Sequence, residues 1–555
     1  MADTDIVNIA AFLPSVAAQR PYAPAIFCPG GRAPGGRARY VHCTYRQLND
    51  DSDRIARGLD TIGIAHGVRT VLMVRPGLDF FALVFAIFKA GAVPVLVDPG
   101  IGLSNLRICL AEAEPEAFIG IPFAQVARVL LGWGRRTIRT VVTVGRKLFW
   151  SGVTLDQVRA AGDDHTPYEI QAPRADDVAA IAFTSGNTGV SKGVVYTYGN
   201  LAAQLDILRR EYAIQPGEVD LATFPPFALF GPALGVTTIV PDMDPTRPAA
   251  VDPTKIIQAI DDFGVTNMFG SPALLDAVAR YAAPRGFKFP SLRRVISAGA
   301  PVPPTVLAQF STMLNPETQI FTPYGATEAL PVCSIGSHEI LREARVKTEQ
   351  GAGICVGRPV APTEVRIIRI SDEPIQRWDD SLRLPEGEIG EIAVRGPVVT
   401  HSYFNRPQAT ALAKIDDHND GGFWHRMGDV GYFDAQGRLW FCGRKTHRVQ
   451  TAHSTLFTEP CEAVFNMHPA VFRSALVGIQ RNGHTTPILC VELEDHARQN
   501  DHGALQRELL ALGSSQAHTQ TIQTVLFHPR FPVDIRHNAK ILREVLAVWA
   551  QKQLS

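Results

Sequence analysis

Hydrophobic and polar positions switch between two periods along most of this chain. Short runs rich in Val, Ile and Ala, at Arg69 to Val74, Val93 to Val97, Ala117 to Ile119, Thr140 to Val144, Val178 to Phe183, Val265 to Phe269 and Arg294 to Ser297, read as buried strands. Segments of helix length lie between them, and strands separated by helices predict a layered α/β body rather than a β-sandwich. Asn200 stands where an N-cap is expected, after which Leu201, Leu205, Leu208 and Tyr212 fall on one helical face. The longest apolar stretch, Phe80 to Val97, is interrupted by Lys89, Gly91 and Pro94, so it predicts a buried helix leading into a buried strand and not a membrane span.

The texture changes twice further on. From Asp380 to Phe441 short segments are punctuated by glycine, which predicts a β-rich subdomain closing the body. From about Lys445 a smaller α/β unit begins, with strands expected at Ala475 to Ile479, Ile488 to Leu493 and Val525 to Phe527 and a last helix starting near Ile541. The expected division is a large N-terminal domain, 1–443, and a small C-terminal domain, 444–555. No internal repeat is visible.

Composition narrows the class. A chain of 555 residues, 46% of them apolar, can bury more than one core. Its 54 Lys and Arg equal its 54 Asp and Glu, so no overall field draws it to nucleic acid or a bilayer, and binding has to be local. Eight cysteines without a C-x-x-C pair argue for reduced thiols and against structural zinc, and the start lacks the features of a signal peptide, so a cytoplasmic enzyme without a transmembrane segment is expected. One local exception is Leu130 to Trp150, where Arg135, Arg136, Arg139, Arg146 and Lys147 mix with Trp133, Phe149 and Trp150. That mixture suits contact with lipid or a partner, or simply a solvated loop on either side of a strand.

The richest chemistry lies at Thr184-Ser-Gly-Asn-Thr-Gly-Val-Ser-Lys-Gly193, directly after a strand pattern. Gly186 and Gly189 let backbone N–H groups face an anion, and Thr184, Ser185, Thr188 and Lys192 add hydroxyl and ammonium donors. The spacing is not a Walker A loop, because Ser191 stands where the second glycine belongs and Lys192 precedes Gly193.

This loop is followed in order by Tyr324-Gly-Ala-Thr-Glu328, Met427-Gly-Asp429, Gly443-Arg-Lys445 and Asn538-Ala-Lys540-Ile541, with Ser297-Ala-Gly-Ala-Pro301 between. The set resembles the adenylate-forming superfamily of acyl-CoA synthetases, luciferases and peptide-synthetase adenylation domains over nearly the whole chain. The resemblance implies ATP and Mg²⁺. A carboxylate must attack the α-phosphorus while pyrophosphate leaves, so cations and N–H donors have to surround the phosphates. By resemblance, the 184–193 loop handles the β and γ phosphates, Glu328 is the Mg²⁺ carboxylate and Thr327 donates to the α-phosphate. Tyr324 with Gly325 is expected to cover adenine, with Gly299, Ala300 and Pro301 as the opposite wall. Asp429 and Arg444 would hold the ribose, and Lys540 would bridge the attacking carboxylate and the α-phosphate, favouring the transition state. Singly, each residue could be a surface acid, a core aromatic, a turn residue or a solvated lysine.

Three departures narrow the resemblance. Thr446-His-Arg448 and Ala452-His453 replace the acidic hinge and glycine pair of acyl-CoA synthetases, and a Cβ there would crowd a pantetheine arm. Ala228 stands near a position where many members carry histidine, and Ala539 replaces the glycine before the lysine. The segments 532–540, 451–457 and 326–332 resemble one branch, the β-lactone synthetases of bacterial long-chain olefin biosynthesis. That branch implies adenylation of a 2-alkyl-3-hydroxy fatty acid and displacement of AMP by its own 3-hydroxyl, with a long-chain acyl-CoA or acyl-AMP ligase as the alternative. Phe224, Phe227, Phe230, Leu234, Leu330 and Val332 are the candidates for the alkyl grooves, or for core packing. His447, His453 and His537 are candidates for a base, His453 first. Other enzymes of the pathway are possible partners, and a non-catalytic scaffold is disfavoured because Glu328 and Lys540 are both retained.

Overall fold

The computed structural model describes residues 7–164, 166–184, 191–224, 229–418, 421–481, 483–533 and 540–554. An eight-stranded sheet runs in the order Ser402–Tyr403, Gly193–Thr197, Val178–Phe183, Val93–Leu96, Arg69–Met73, Ala117–Gly120, Thr140–Thr143 and Val153–Thr154. It is parallel from Val178–Phe183 onward and antiparallel at the other edge. Helices cover both faces. A seven-stranded sheet places Gln319–Phe321, Arg294–Ile296, Asn267–Phe269, Val219–Ala222, Thr237–Ile239, Pro24–Arg32 and Ala38–Thr44 side by side, parallel except for the final pair. The α/β body is thus layered, as short apolar strands buried on both faces require.

The interrupted stretch after Phe80 forms the helix Leu78–Lys89 and the strand Val93–Leu96. Lys89 is fully buried there because its ammonium donates to Asp53 Oδ1 at 2.6 Å and Asn49 Oδ1 at 2.9 Å. No helix among the described residues is long and apolar enough to cross a membrane.

Two expectations need correcting. Asn200 is not the N-cap: the helix Tyr198–Glu211 is capped by Thr197, and Asn200, its third helical residue, closes the capping box. Its amide also donates to the carbonyls of Pro397 and Val399, at 2.8 and 3.2 Å, so it fastens the helix start to a distant loop. The β-rich sheet begins at Tyr324 instead of near Asp380. It is antiparallel, in the order Tyr324–Ala326, Ala329–Ser334, Ile354–Pro359, Leu439–Arg444, Phe423–Phe433, Gly390–Arg395 and Glu364–Ile368, with Lys414–Asp416 also on Phe423–Phe433. Helical turns over 337–349 separate its first strands from the rest and hide the pattern.

Beyond Arg444 the chain enters a small unit with a three-stranded sheet, Val471–Arg481, His484–Leu493 and Val525–Phe527. Alternate residues feed two cores, Leu476, Leu489 and Val491 on one face and Val477, Ile488 and Cys490 on the other. The last helix, Arg543–Gln553, is tied in by a buried fork: Arg543 donates to both oxygens of Glu462, at 2.6 and 2.9 Å, and the Leu476 N–H donates to the same carboxylate at 2.7 Å. Because Lys540 lies three residues before Arg543, this fork also fixes where that lysine emerges. Glu462→Ala leaves a buried guanidinium uncompensated, and denaturant unfolding should show a loss of about 3–5 kcal/mol.

Candidate active site

The glycine-rich loop is the connection of a hairpin. Val178–Phe183 and Gly193–Thr197 pair antiparallel, the Thr184 N–H donates to the Lys192 carbonyl at 3.0 Å, and the Lys192 N–H donates to Thr184 Oγ1 at 3.1 Å. Two expected phosphate ligands, Thr184 and Lys192, therefore stand together at its neck. Ser185, Gly186, Thr188 and Gly189 lie outside the described residues, as do Phe227 and His537.

A second hairpin carries the acid. Tyr324–Ala326 and Ala329–Ser334 pair with Ala326 opposite Ala329, which leaves Thr327 and Glu328 as a two-residue tip. Gly325 is required by closeness: a Cβ there would stand 2.5 Å from the Ala329 carbonyl oxygen. The tip is held from the neighbouring sheet. Tyr196 Oη donates to the Thr327 carbonyl, Tyr403 Oη donates to Glu328 Oε1 at 2.6 Å, and Thr400 donates its N–H and hydroxyl to the Glu328 carbonyl at 2.9 and 3.1 Å. The Lys192 ammonium lies 4.8 Å from the Tyr403 ring centroid.

On the β-rich sheet Asp429 and Arg444 are cross-strand partners. Arg444 donates to Asp429 Oδ1 at 2.8 Å, and Tyr324 Oη donates to Oδ2 at 2.6 Å. Burial pushes the Asp429 carboxyl above its usual range even though Arg444 and Tyr324 both favour its anion. The Tyr324 ring leans on Phe441, with centroids 6.0 Å apart.

These groups line one cavity of about 2450 Å³, together with Gly299, Ala300, Pro301 and Lys540. Gly299 has a φ of 97°, which turns the chain where it follows the strand Arg294–Ile296. The cavity wall is apolar on both faces of the eight-stranded sheet. Met73, Leu106, Phe183 and Trp133 belong to the packing on one face, and Phe80, Ala180, Leu201 and Phe230 to that on the other. Phe224, Phe230 and Leu330 line it as expected. Leu234 and Val332 do not. Leu234 packs with Leu205, Tyr212 and Ile214, and Val332 is fully buried among Ala329, Val365 and Ile392, because each side chain points to the core face of its element. His453 is likewise outside, exposed on the turn between Val449–Gln450 and Thr455–Leu456.

Several lining or supporting residues carry no motif and escape a reading of sequence. Lys414 is buried opposite His425, its ammonium donates to the Thr400 carbonyl, and burial pushes its pKa down to about 7 against the pull of Glu328. His425 is buried, held well below its usual pKa by burial and by Lys414, and its Nδ1 has no hydrogen-bond partner among the described residues. Glu459, in the first turn of the helix Thr458–Phe465, faces the cavity, and burial pushes its carboxyl up to about 7, with Glu462 adding and Arg543 opposing. His447 also lines it, 3.3 Å from Glu544 Oε1, and burial with Arg543 pushes its imidazole down to about 4.

Comparison with known proteins agrees with this geometry. The AMP-binding enzyme family profile matches residues 13–404. An olefin beta-lactone synthetase of Xanthomonas campestris is 53% identical over 99% of this chain and 98% of its own length, and one of Stenotrophomonas maltophilia is 54% identical over the same shares. Among solved structures, ATP-bound MatB from Rhodopseudomonas palustris superposes with a TM-score of 0.78 at 21% identity, covering 99% of this chain and 100% of its own. The amide bond synthetase McbA from Marinactinospora thermotolerans does so with a TM-score of 0.76 at 22% identity, covering 98% and 99%. These likenesses show the fold, a large N-terminal body with a smaller C-terminal domain.

The Lys414 environment makes a stability prediction. Its folded pKa is lowered, so the charged form is penalised fully below about pH 7, and the penalty fades as pH rises toward 10.5. The stability of Lys414→Met relative to the native chain should therefore be about 2–3 kcal/mol more favourable at pH 6 than at pH 9 in parallel denaturant titrations.

Proposed function

Because this chain belongs to the AMP-binding enzyme family, we propose that it is an ATP-dependent β-lactone synthetase, which adenylates a 2-alkyl-3-hydroxy fatty acid and releases AMP as the acid's own hydroxyl closes a four-membered ring. The observation that carries this reading is the 53% identity to an olefin beta-lactone synthetase over 99% of the chain, through the segment after Arg444 where acidic hinge and glycine pair are replaced. The two apolar faces of the cavity support it, since an acid branched at carbon 2 has two alkyl arms to bury.

Placement around one cavity supports the residue roles that the family resemblance implies. Tyr324 and the Gly299–Pro301 segment would enclose adenine, and Asp429 would exchange its bond to Tyr324 or Arg444 for the ribose hydroxyls. Thr184, Lys192 and the rest of their loop would donate to the β and γ phosphates, and Thr327, which lines the same cavity, would donate to the α-phosphate. Glu328 fits Mg²⁺, since one hard carboxylate beside nucleotide phosphates meets that ion's needs, and the ion when bound neutralises phosphate charge. Lys540, on the small domain taken as 444–555, would stabilise the charge that develops as the carboxylate attacks. The 3-hydroxyl is held against an activated acyl carbon, so closure is intramolecular and needs no thiol.

Closure needs a proton acceptor, and Glu459 is the better suited of the groups facing the cavity. A carboxyl at about 7 is half ionised at neutral pH and basic enough to accept, whereas His447 at about 4 is a weak base.

Purified enzyme given ATP, Mg²⁺ and a 2-alkyl-3-hydroxy acid should yield lactone and AMP without CoA. A thioester formed only when CoA is added would overturn the reading in favour of a long-chain acyl-CoA ligase. Lys540→Ala should lower adenylation, read as pyrophosphate exchange, by about 10²–10³-fold while the thermal transition stays in place. Glu459→Gln should keep that exchange and slow lactone release by about 10²-fold or more. In the native enzyme ring closure should rise with pH through about 7, as Glu459 ionises. A flat profile would remove Glu459 from this role.

A further inference from the structure

The basic and aromatic segment singled out in the sequence has a definite place in the fold. From Ala117 to Trp150 the chain carries six basic side chains and no acidic one, within a protein whose charges balance as a whole. Trp133 and Trp150 are buried, but Phe149 is 72% exposed and Leu148 49%. The N-terminal residues of two neighbouring helices, Leu103–Ala113 and Pro122–Leu131, add Leu103 at 61% and Phe123 at 79%. Both helices pack into the same core, and a Cβ on Gly145 would lie 3.9 Å from Pro122 Cδ, so the 145–149 loop and the start of the second helix share one rim. Leu103 and Phe123 also line the cavity, and one of its apolar walls therefore reaches solvent at this rim.

The exposure is built in. Trp150 Nε1 donates to Thr143 Oγ1 at 2.8 Å, Phe149 packs edge-on against the Trp150 ring at 5.2 Å, and the Lys147 ammonium donates to the Gly152 carbonyl at 2.6 Å. A buried anchor thus presents an exposed phenylalanine beside exposed Arg146. Exposed apolar groups fringed by cations, at the mouth of an apolar cavity, match an anionic bilayer surface in both charge and polarity.

We propose that the rim formed by Leu103, Phe123, Leu148 and Phe149, flanked by Arg146 and Lys147, docks on anionic phospholipid surfaces, so that an alkyl chain passes between bilayer and cavity without crossing water. Docking goes beyond the catalytic reading and does not require turnover.

Full-length protein is sedimented with vesicles of phosphatidylglycerol mixed into phosphatidylcholine, and with phosphatidylcholine alone. Binding is expected to the anionic vesicles, to weaken with salt, and to be weaker by at least tenfold on the neutral ones (roughly two or more basic contacts). Arg146→Glu with Phe149→Gln should lower anionic binding by about thirtyfold. Its turnover of a short, water-soluble 3-hydroxy acid and its thermal transition should be unchanged, which separates lost docking from lost folding. Val548→Gln, on the exposed face of the last helix, should leave vesicle binding intact. Equal binding to both vesicles, binding to neither, or an unchanged affinity in the double variant overturns the proposal. So does a double variant that loses a protein partner while keeping its vesicles. Failure of lactone formation with intact vesicle binding would strike the catalytic reading alone.

Discussion

The seam between the β-rich sheet and the eight-stranded sheet closes at one hairpin tip, Thr327 and Glu328, and the rest of the site is organised around it. Tyr196 and Tyr403 come from the eight-stranded sheet, and Thr400 lies just before its edge strand. All three donate hydrogen bonds to the tip. Further along the same seam Gln204 donates to the Leu330 carbonyl at 3.0 Å and Asn200 to the loop at 397–399. A buried backbone group without a partner costs about 1–3 kcal/mol, so this set holds the two sheets in one register. It also aims the Glu328 carboxylate into the cavity.

Charge is handled in the same economical way. The cavity collects Asp429, Glu328 and Glu459 against Arg444, Lys192 and Lys540, and burial shifts Asp429 and Glu459 toward their neutral forms. At Asp429 the Arg444 hydrogen bond works against that shift, whereas at Glu459 burial and Glu462 outweigh Arg543 and the carboxyl titrates near neutrality. Such tuning suits a site that must accept phosphate and then move a proton.

Among the described residues, polar links at its start join the C-terminal unit to the β-rich sheet and to a connection between two of its strands. Lys445 reaches back 3.0 Å to Glu391 on the β-rich sheet and also donates to the Ser371 carbonyl at 2.7 Å, while Arg448 pairs with Asp372. Arg543 and Glu462 then stiffen the unit from inside. With these contacts the small domain presents Lys540, Glu459 and His447 to one cavity at once.

Much of this was legible along the chain. Strand positions such as Val178–Phe183 and Val525–Phe527 follow from periodicity, and the motifs that carry the family resemblance pick out Tyr324, Glu328, Asp429, Arg444 and Lys540, which the fold brings to one cavity. Local pattern misjudged what depends on partners. Asn200 carries a capping chemistry but not the cap itself, and Leu234 and Val332 have the right polarity yet face the core. Tyr403, Lys414 and Glu459 have no signature, because what matters about them comes from burial and from groups distant in the sequence, Glu328 for Tyr403 and Lys414 and Arg543 for Glu459. Sequence alone determined which elements form and which chemical groups are available, since both are set by local geometry and composition. Only the tertiary structure decided which of those groups meet, how far burial shifts their charge, and where the apolar cavity opens to water, since these follow from packing between distant segments.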